Sequence, residues 1–187
     1  YTEGYGSYLI PAVMMIIIFQ TLLMVIGMVT GEEYSSDGIR TYAPFGHTWA
    51  AAIRIVAGKT FVYCGLYAKF SFFLLGLLPY FFSIPNIGNG LYIVLLMIPY
   101  LIATSFLGLA ASRYFTDSEA PLLMIAFFSV GLIFLSGVSY PMELMPWYWK
   151  ATHYILPAAP ATLAFVQLNS MGASMADIRP EYITLWI

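Results

Sequence analysis

Apolar residues gather in four long stretches, Tyr8 to Thr30, Thr60 to Ser83, Leu91 to Ser112 and Pro121 to Leu135, parted by short polar or Pro/Gly breaks and almost free of charge. A hydrocarbon core of roughly 30 Å takes about 20 helical residues at 1.5 Å each, and the first three stretches reach that length. The pattern predicts an all-α, polytopic helical membrane protein. Between the first two stretches the pattern changes. Residues 31–38 form a polar turn, and then Trp49, Ile53, Val56 and Ala57 recur at helical spacing with Arg54 and Lys59 on other faces. This predicts a short amphipathic helix over 42–57 along the inner membrane surface, either a plain lead-in to the next span or a docking element.

The fourth stretch ends after about four turns at Ser136-Gly137-Val138-Ser139-Tyr140-Pro141, too short for a full crossing. Pro141, Pro146, Pro157 and Pro160 rule out one continuous helix beyond it. Trp147, Tyr148 and Trp149 favour the headgroup region, where an amphipathic ring buries its body and wets its tip. Residues 136–169 are therefore predicted to form a broken, re-entrant outer segment, buried in protein or lining a watery cavity. Apolar residues resume after Pro180 and predict the start of a last span from about 181. The chain opens at Tyr1 without Met or a basic lead, so its first span does not read as a signal peptide. It reads as part of a longer protein.

Composition agrees: 61% of residues are hydrophobic and 9% charged, with mean hydropathy +0.83, against roughly 25% charged residues in a soluble domain. A water-soluble fold is excluded. The net charge of -2, with no Lys/Arg run, gives no reason to expect nucleic acid or a polybasic lipid anchor. Arg40, Arg54, Lys59 and Arg113 place the 31–59 and 113–120 loops in the cytoplasm and the 84–90 turn outside.

Little here supports catalysis, and no catalytic or metal residues are assigned. His47 and His153 fall on opposite sides of the predicted membrane, each reading as an interfacial polar residue, and no Asp or Glu occurs within a span. Gly58-Lys59-Thr60 resembles the end of a phosphate-binding loop, but Ile53 stands where that loop needs its first glycine. Any ATP must act on a partner. Cys64 has no second cysteine to pair with and reads as a packing residue. Lys69, inside the second stretch, reads as a lysine snorkelling to the surface. Gly27 with Gly31, and Gly108 with Ser112, have a spacing that lets helices approach closely.

One string carries a family likeness: Leu135-Ser136-Gly137-Val138-Ser139-Tyr140-Pro141-Met142-Glu143-Leu144-Met145-Pro146, continued by Tyr154-Ile155-Leu156-Pro157, Pro160 and Leu168-Asn169-Ser170-Met171-Gly172-Ala173. With Tyr8-Leu9-Ile10-Pro11 opening the first span and Gly58-Lys59 before the second, it resembles the ABC type-2 transporter permeases, most closely their bacterial multidrug-exporter-like branch. The resemblance implies an ABC type-2 exporter transmembrane domain with re-entrant outer helices, six spans per subunit, and an earlier helix with an extracytoplasmic domain before Tyr1. It also implies a second permease subunit in a homo- or heterodimer, a cytosolic ABC ATPase that holds ATP and Mg, room for a periplasmic adaptor, and residence in a bacterial inner membrane. The cytoplasmic turn departs from the family pattern: Glu32 and Glu33 are followed by Asp37-Gly38-Ile39-Arg40-Thr41 rather than by Gly-Thr and Glu.

The expectation is thus a permease subunit without its own nucleotide site and without cofactor, exporting a hydrophobic or amphipathic substrate. Glu32, Glu33, Arg40, Arg54 and Lys59 are the candidates for coupling to the ATPase. Met14, Ile17, Thr21, Ser136 and Tyr140 are the candidates for the substrate path. The rival is a membrane scaffold or assembly protein that moves nothing, and a neighbouring ATPase gene separates the two.

Overall fold

The computed structural model describes residues 5–35, 49–82, 87–114, 119–140 and 142–186. Their secondary structure is helical, with no strand among the described residues. Helix α1 (Tyr5–Ser35) is followed by α2 (Trp49–Phe72), a π-helical turn (Phe73–Leu77) and the single turn α3 (Leu78–Phe81). Then come α4 (Gly90–Ala111), capped by a 3-10 turn, and α5 (Ala120–Leu135). A 3-10 turn at Met142–Leu144 leads into α6 (Trp147–Ile155), α7 (Ala158–Ser170) and α8 (Arg179–Thr184). Among the described residues three helical stretches are long and apolar enough to cross a membrane: Leu9–Glu33, Trp49–Phe81 and Gly90–Tyr114. The 16 residues of α5 amount to ~24 Å, short of the ~30 Å core.

The structure departs from the sequence expectation between residues 49 and 60. The amphipathic segment and the second span are one helix that passes through Gly58 unbroken. A glycine inside a helix costs only about 1 kcal/mol relative to alanine, and the alanines, isoleucines and lysine around Gly58 offset it. Residues 42–48 of the expected amphipathic helix lie outside the described residues. Near its far end α2 meets Pro79, which has no N–H for the carbonyl of Leu75 and whose ring would strike that carbonyl in a regular helix. The chain takes up this conflict as the π-turn at Phe73–Leu77, in which Leu78 donates to the carbonyl of Phe73.

Helix α1 is apolar all round, and such a helix belongs inside a bundle. It packs against α4, α5 and α7, and Met15, Ile18, Leu22 and Ile26 are fully enclosed. In lipid, helices gain little from apolarity alone and associate through close packing and interhelical hydrogen bonds. Both are present. The Tyr100 hydroxyl of α4 donates to the carbonyl of Met15 at 2.7 Å, and the Cys64 sulfur of α2 lies 3.8 Å from the Ser105 hydroxyl of α4. A Cβ at Gly108 would come within 2.9 Å of the Ile26 side chain, so glycine there sets how closely α4 approaches α1.

The proline-rich segment closes one end of this bundle. Helix α7 is buried along most of its length between α1, α4 and α8. The loop before α4 is tied to its end: Ile87 donates to the carbonyl of Asn169 at 3.1 Å, and a Cβ at Gly88 would lie 2.6 Å from the carbonyl oxygen of Leu168. Only glycine allows that approach.

Candidate functional site

Two ends of the bundle carry the polar side chains, and α1 reaches both. At one end Glu33, in the last turn of α1, forms an ion pair with Lys59 of α2. Both side chains are partly shielded, at 25% and 21% exposure, so the pair is less screened than a fully exposed one. Glu32 is exposed beside it, and Arg54 is exposed one and a half turns before Lys59. Trp49 and Ile53 lie on the surface of the same stretch of α2, at 86% and 66% exposure. The structure therefore gathers Glu33 and Lys59 and leaves Arg54 on an open amphipathic face. Arg40 lies outside the described residues, as does His47.

At the other end α5 stops at Ser136. The Ser136 hydroxyl turns back to donate to the carbonyl of Ile133 at 2.7 Å, and Gly137 follows with φ +79°. That left-handed conformation is open to glycine and strained for other residues. The Met142 side chain fills the space on which a Cβ at Gly137 would press, 3.0 Å away. Beyond the turn Val138 is buried in a small cluster with Ala12 of α1 and Val166 of α7. Ser136 is fully enclosed and Tyr140 is 44% exposed.

Met14, Ile17 and Thr21 fall along one stripe of α1. Met14 belongs to the core and Ile17 is partly buried. The Thr21 hydroxyl donates within its own helix, to the carbonyl of Ile17 at 2.7 Å. The same hydroxyl lies 3.2 Å from the Ile18 carbonyl, and Tyr67 beside it turns this stripe toward α2 rather than toward Ser136 and Tyr140. The five path candidates thus form two separate groups.

His153, expected as an interfacial polar residue, is fully buried within the protein, with Nδ1 2.8 Å from the carbonyl of Leu135. A neutral ring donating from Nδ1 locks α6 onto the end of α5. Burial lowers the His153 pKa below its ordinary value, against smaller raising effects from the Leu135 carbonyl and the Glu181 charge. Nothing in the residue pattern ties position 153 to a carbonyl 18 residues earlier, so sequence reasoning had no signal for it. Tyr67 was missed for a related reason, since a lone hydroxyl in an apolar helix looks the same whether or not it faces a neighbour.

Lys69 is exposed on α2. The unbroken helix sets it ten residues, ~15 Å, from Lys59. Cys64 lies 3.8 Å, sulfur to oxygen, from the Ser105 hydroxyl. Among the described residues no group of three or more His, Cys, Asp or Glu side chains is arranged to hold a metal.

This is the layout of a membrane component with a charged face at one end, a folded cap at the other and a single helix joining them. No curated relative and no solved structure matches the chain. The family model described as ABC-2 family transporter protein matches residues 1–187, its whole length, and the chain belongs to that family of ABC transporter membrane components.

Proposed function

We propose that the chain is the permease subunit of an ATP-driven exporter in a bacterial inner membrane, which pairs with a second permease subunit and moves a hydrophobic or amphipathic molecule outward. ATP and Mg are handled by a separate cytosolic ATPase. The observation that carries the reading is the Glu33–Lys59 ion pair, which fastens the end of the central helix α1 to the open amphipathic face of α2. In this scheme the ATPase docks on Trp49, Ile53 and Arg54 and displaces the start of α2. The ion pair passes that displacement to α1. Because α1 also packs on Val138 and Val166 through Ala12, its movement reaches the cap, and closely packed elements shift as bodies rather than deform. Glu32 and Arg40 complete the coupling surface. Met14, Ile17 and Thr21 along α1, with Ser136 and Tyr140 at the cap, are the proposed contacts of the moving substrate.

Exchange of the paired charges tests this. In the permease assembled with its ATPase and reconstituted in vesicles, Glu33→Lys or Lys59→Glu alone should cut ATP-driven transport about tenfold, the scale of one lost charge-assisted contact. The double exchange should restore most of it, with the ATPase bound throughout. Unchanged transport in both single variants would leave the pair a structural tie and remove it from coupling.

A further inference from the structure

The contact of His153 with α5 settles one side of its ring and leaves the other unsatisfied. Nδ1 lies 2.8 Å from the Leu135 carbonyl, an oxygen that can only accept, so in the neutral ring Nδ1 carries the hydrogen and Nε2 is a bare acceptor. Nε2 is buried and has no hydrogen-bond partner. A second acceptor in the same condition is Oε2 of Glu181 in α8, also buried and also without a partner. Buried polar atoms without partners are disfavoured. Here both lack the same thing, a hydrogen to accept.

The two atoms belong to elements with a common support. Helices α6 and α8 both pack on α7, and Ile178, just before α8, is fully enclosed in the main core. Among the described residues few ionisable groups surround the ring. Helices α5 and α7 carry none. Helix α6 itself carries Tyr148, Lys150 and Tyr154, and the Tyr154 ring stands edge-on to His153 with centroids 5.1 Å apart. Helix α8 and the turn before it carry Asp177, Arg179, Glu181 and Tyr182, of which Asp177 is exposed and accepts from Ser174 instead. Against burial, which lowers the His153 pKa, the Leu135 carbonyl and the Glu181 charge both raise it.

We propose that His153 and Glu181 form a proton-operated clasp in the cap: when the aqueous phase on that side protonates Nε2, Glu181 Oε2 accepts the new N–H and draws α8 onto α6. One proton taken from water satisfies both atoms at once, and it leaves Nδ1 on the Leu135 carbonyl. The result is a cationic ring against a carboxylate, joined by a charge-assisted hydrogen bond, which is stronger than a neutral one. Without that proton two acceptors face each other and the clasp stands open. The inference rests on the cap and not on what the permease exports.

The chain has two histidines, so His47→Gln leaves His153 as the single ring signal. On that background the full chain, in phospholipid nanodiscs with isotopically labelled histidine, is titrated by NMR. Glu181→Gln and Glu181→Ala should each lower the His153 midpoint by about one pH unit, a tenfold loss of proton affinity, while Asp177→Asn leaves it in place. A midpoint unmoved by both Glu181 variants, or lowered equally by Asp177→Asn, would overturn the pairing. Closure is read separately. Spin labels at Ala151→Cys and Ile183→Cys, both exposed, with Cys64→Ala removing the native thiol, should approach each other between pH 7.5 and 4.5, and should not do so in Glu181→Gln. A midpoint that shifts while this distance stays constant would mean a fixed charge contact and would overturn the clasp.

Discussion

Helices α1 and α2 are both long and apolar, yet half of α1's most apolar window is buried and only 22% of α2's is. In water such a difference would follow from hydrophobicity. In lipid it cannot, because tails are as apolar as leucine. What separates the two helices is their detail. α1 presents residues that interlock: it receives the Tyr100 hydroxyl on the Met15 carbonyl and fits Ile26 against Gly108. α2 presents large rings outward, with Phe61 at 82% and Phe72 at 70% exposure, and keeps its polar contacts for the narrow strip that faces α1 and α4. Burial in this bundle marks fit, and exposure marks the lack of it.

That contrast is broken most sharply by truncating one side chain from each helix. Leu22→Ala, in fully enclosed surroundings, should cost about 2–5 kcal/mol through the cavity it leaves, whereas Val62→Ala, on the exposed face of α2, should stay within about 0.5 kcal/mol. Unfolding of the purified protein in a fixed detergent reads both. Equal losses would mean that α2 is covered along this face and that the contrast fails. Second in size is Gly137→Ala, which forces a left-handed residue to carry a Cβ against Met142. A loss of about 1–3 kcal/mol is expected, with the cap loosened before α1. A stability unchanged from the parent would show that the turn readjusts freely.

The smallest effect is the pH dependence of the cap. Because the folded pKa of His153 lies below its ordinary 6.5, the folded state binds fewer protons there than the unfolded state once the pH falls below that value. Stability is then full above about 6.5 and declines as the pH drops toward the folded pKa, where the decline ends. Melting compared at pH 7.5 and 5.5 should show a loss that His153→Gln reduces. An equal loss in the variant would assign the pH dependence to other groups. The α1 core carries no such group and should not contribute.

The long apolar helices were legible in the sequence because length and hydropathy alone define them. Which helix is central was not, since α1 is apolar on every face and offers no periodicity to orient it. The end of α5 was legible from Ser136-Gly137 and the prolines that follow. The join at Gly58 was misread because a glycine beside a charge looks like a boundary, although helices tolerate it. Of the coupling candidates, Glu33 and Lys59 were named separately, but their pairing depends on the angle between α1 and α2, which no local pattern encodes. The contact of His153 with the Leu135 carbonyl was hidden for the same reason.

The π-turn has one more effect. An α-helix advances 100° per residue, so the extra residue taken up between Phe73 and Leu77 puts everything beyond it out of phase with everything before. Counted at that angle, the inserted residue brings the ring of Tyr80 back to the stripe begun by Phe61 and Phe72, all three exposed, and leaves Phe81 about 100° further round the helix. Tyr80 and Phe81 point where the inserted residue aims them, and a one-residue deletion within 73–77 should swing them by about that angle while α2 below stays in place. The facing of this outer end is set by a count of residues, not by their hydrophobicity.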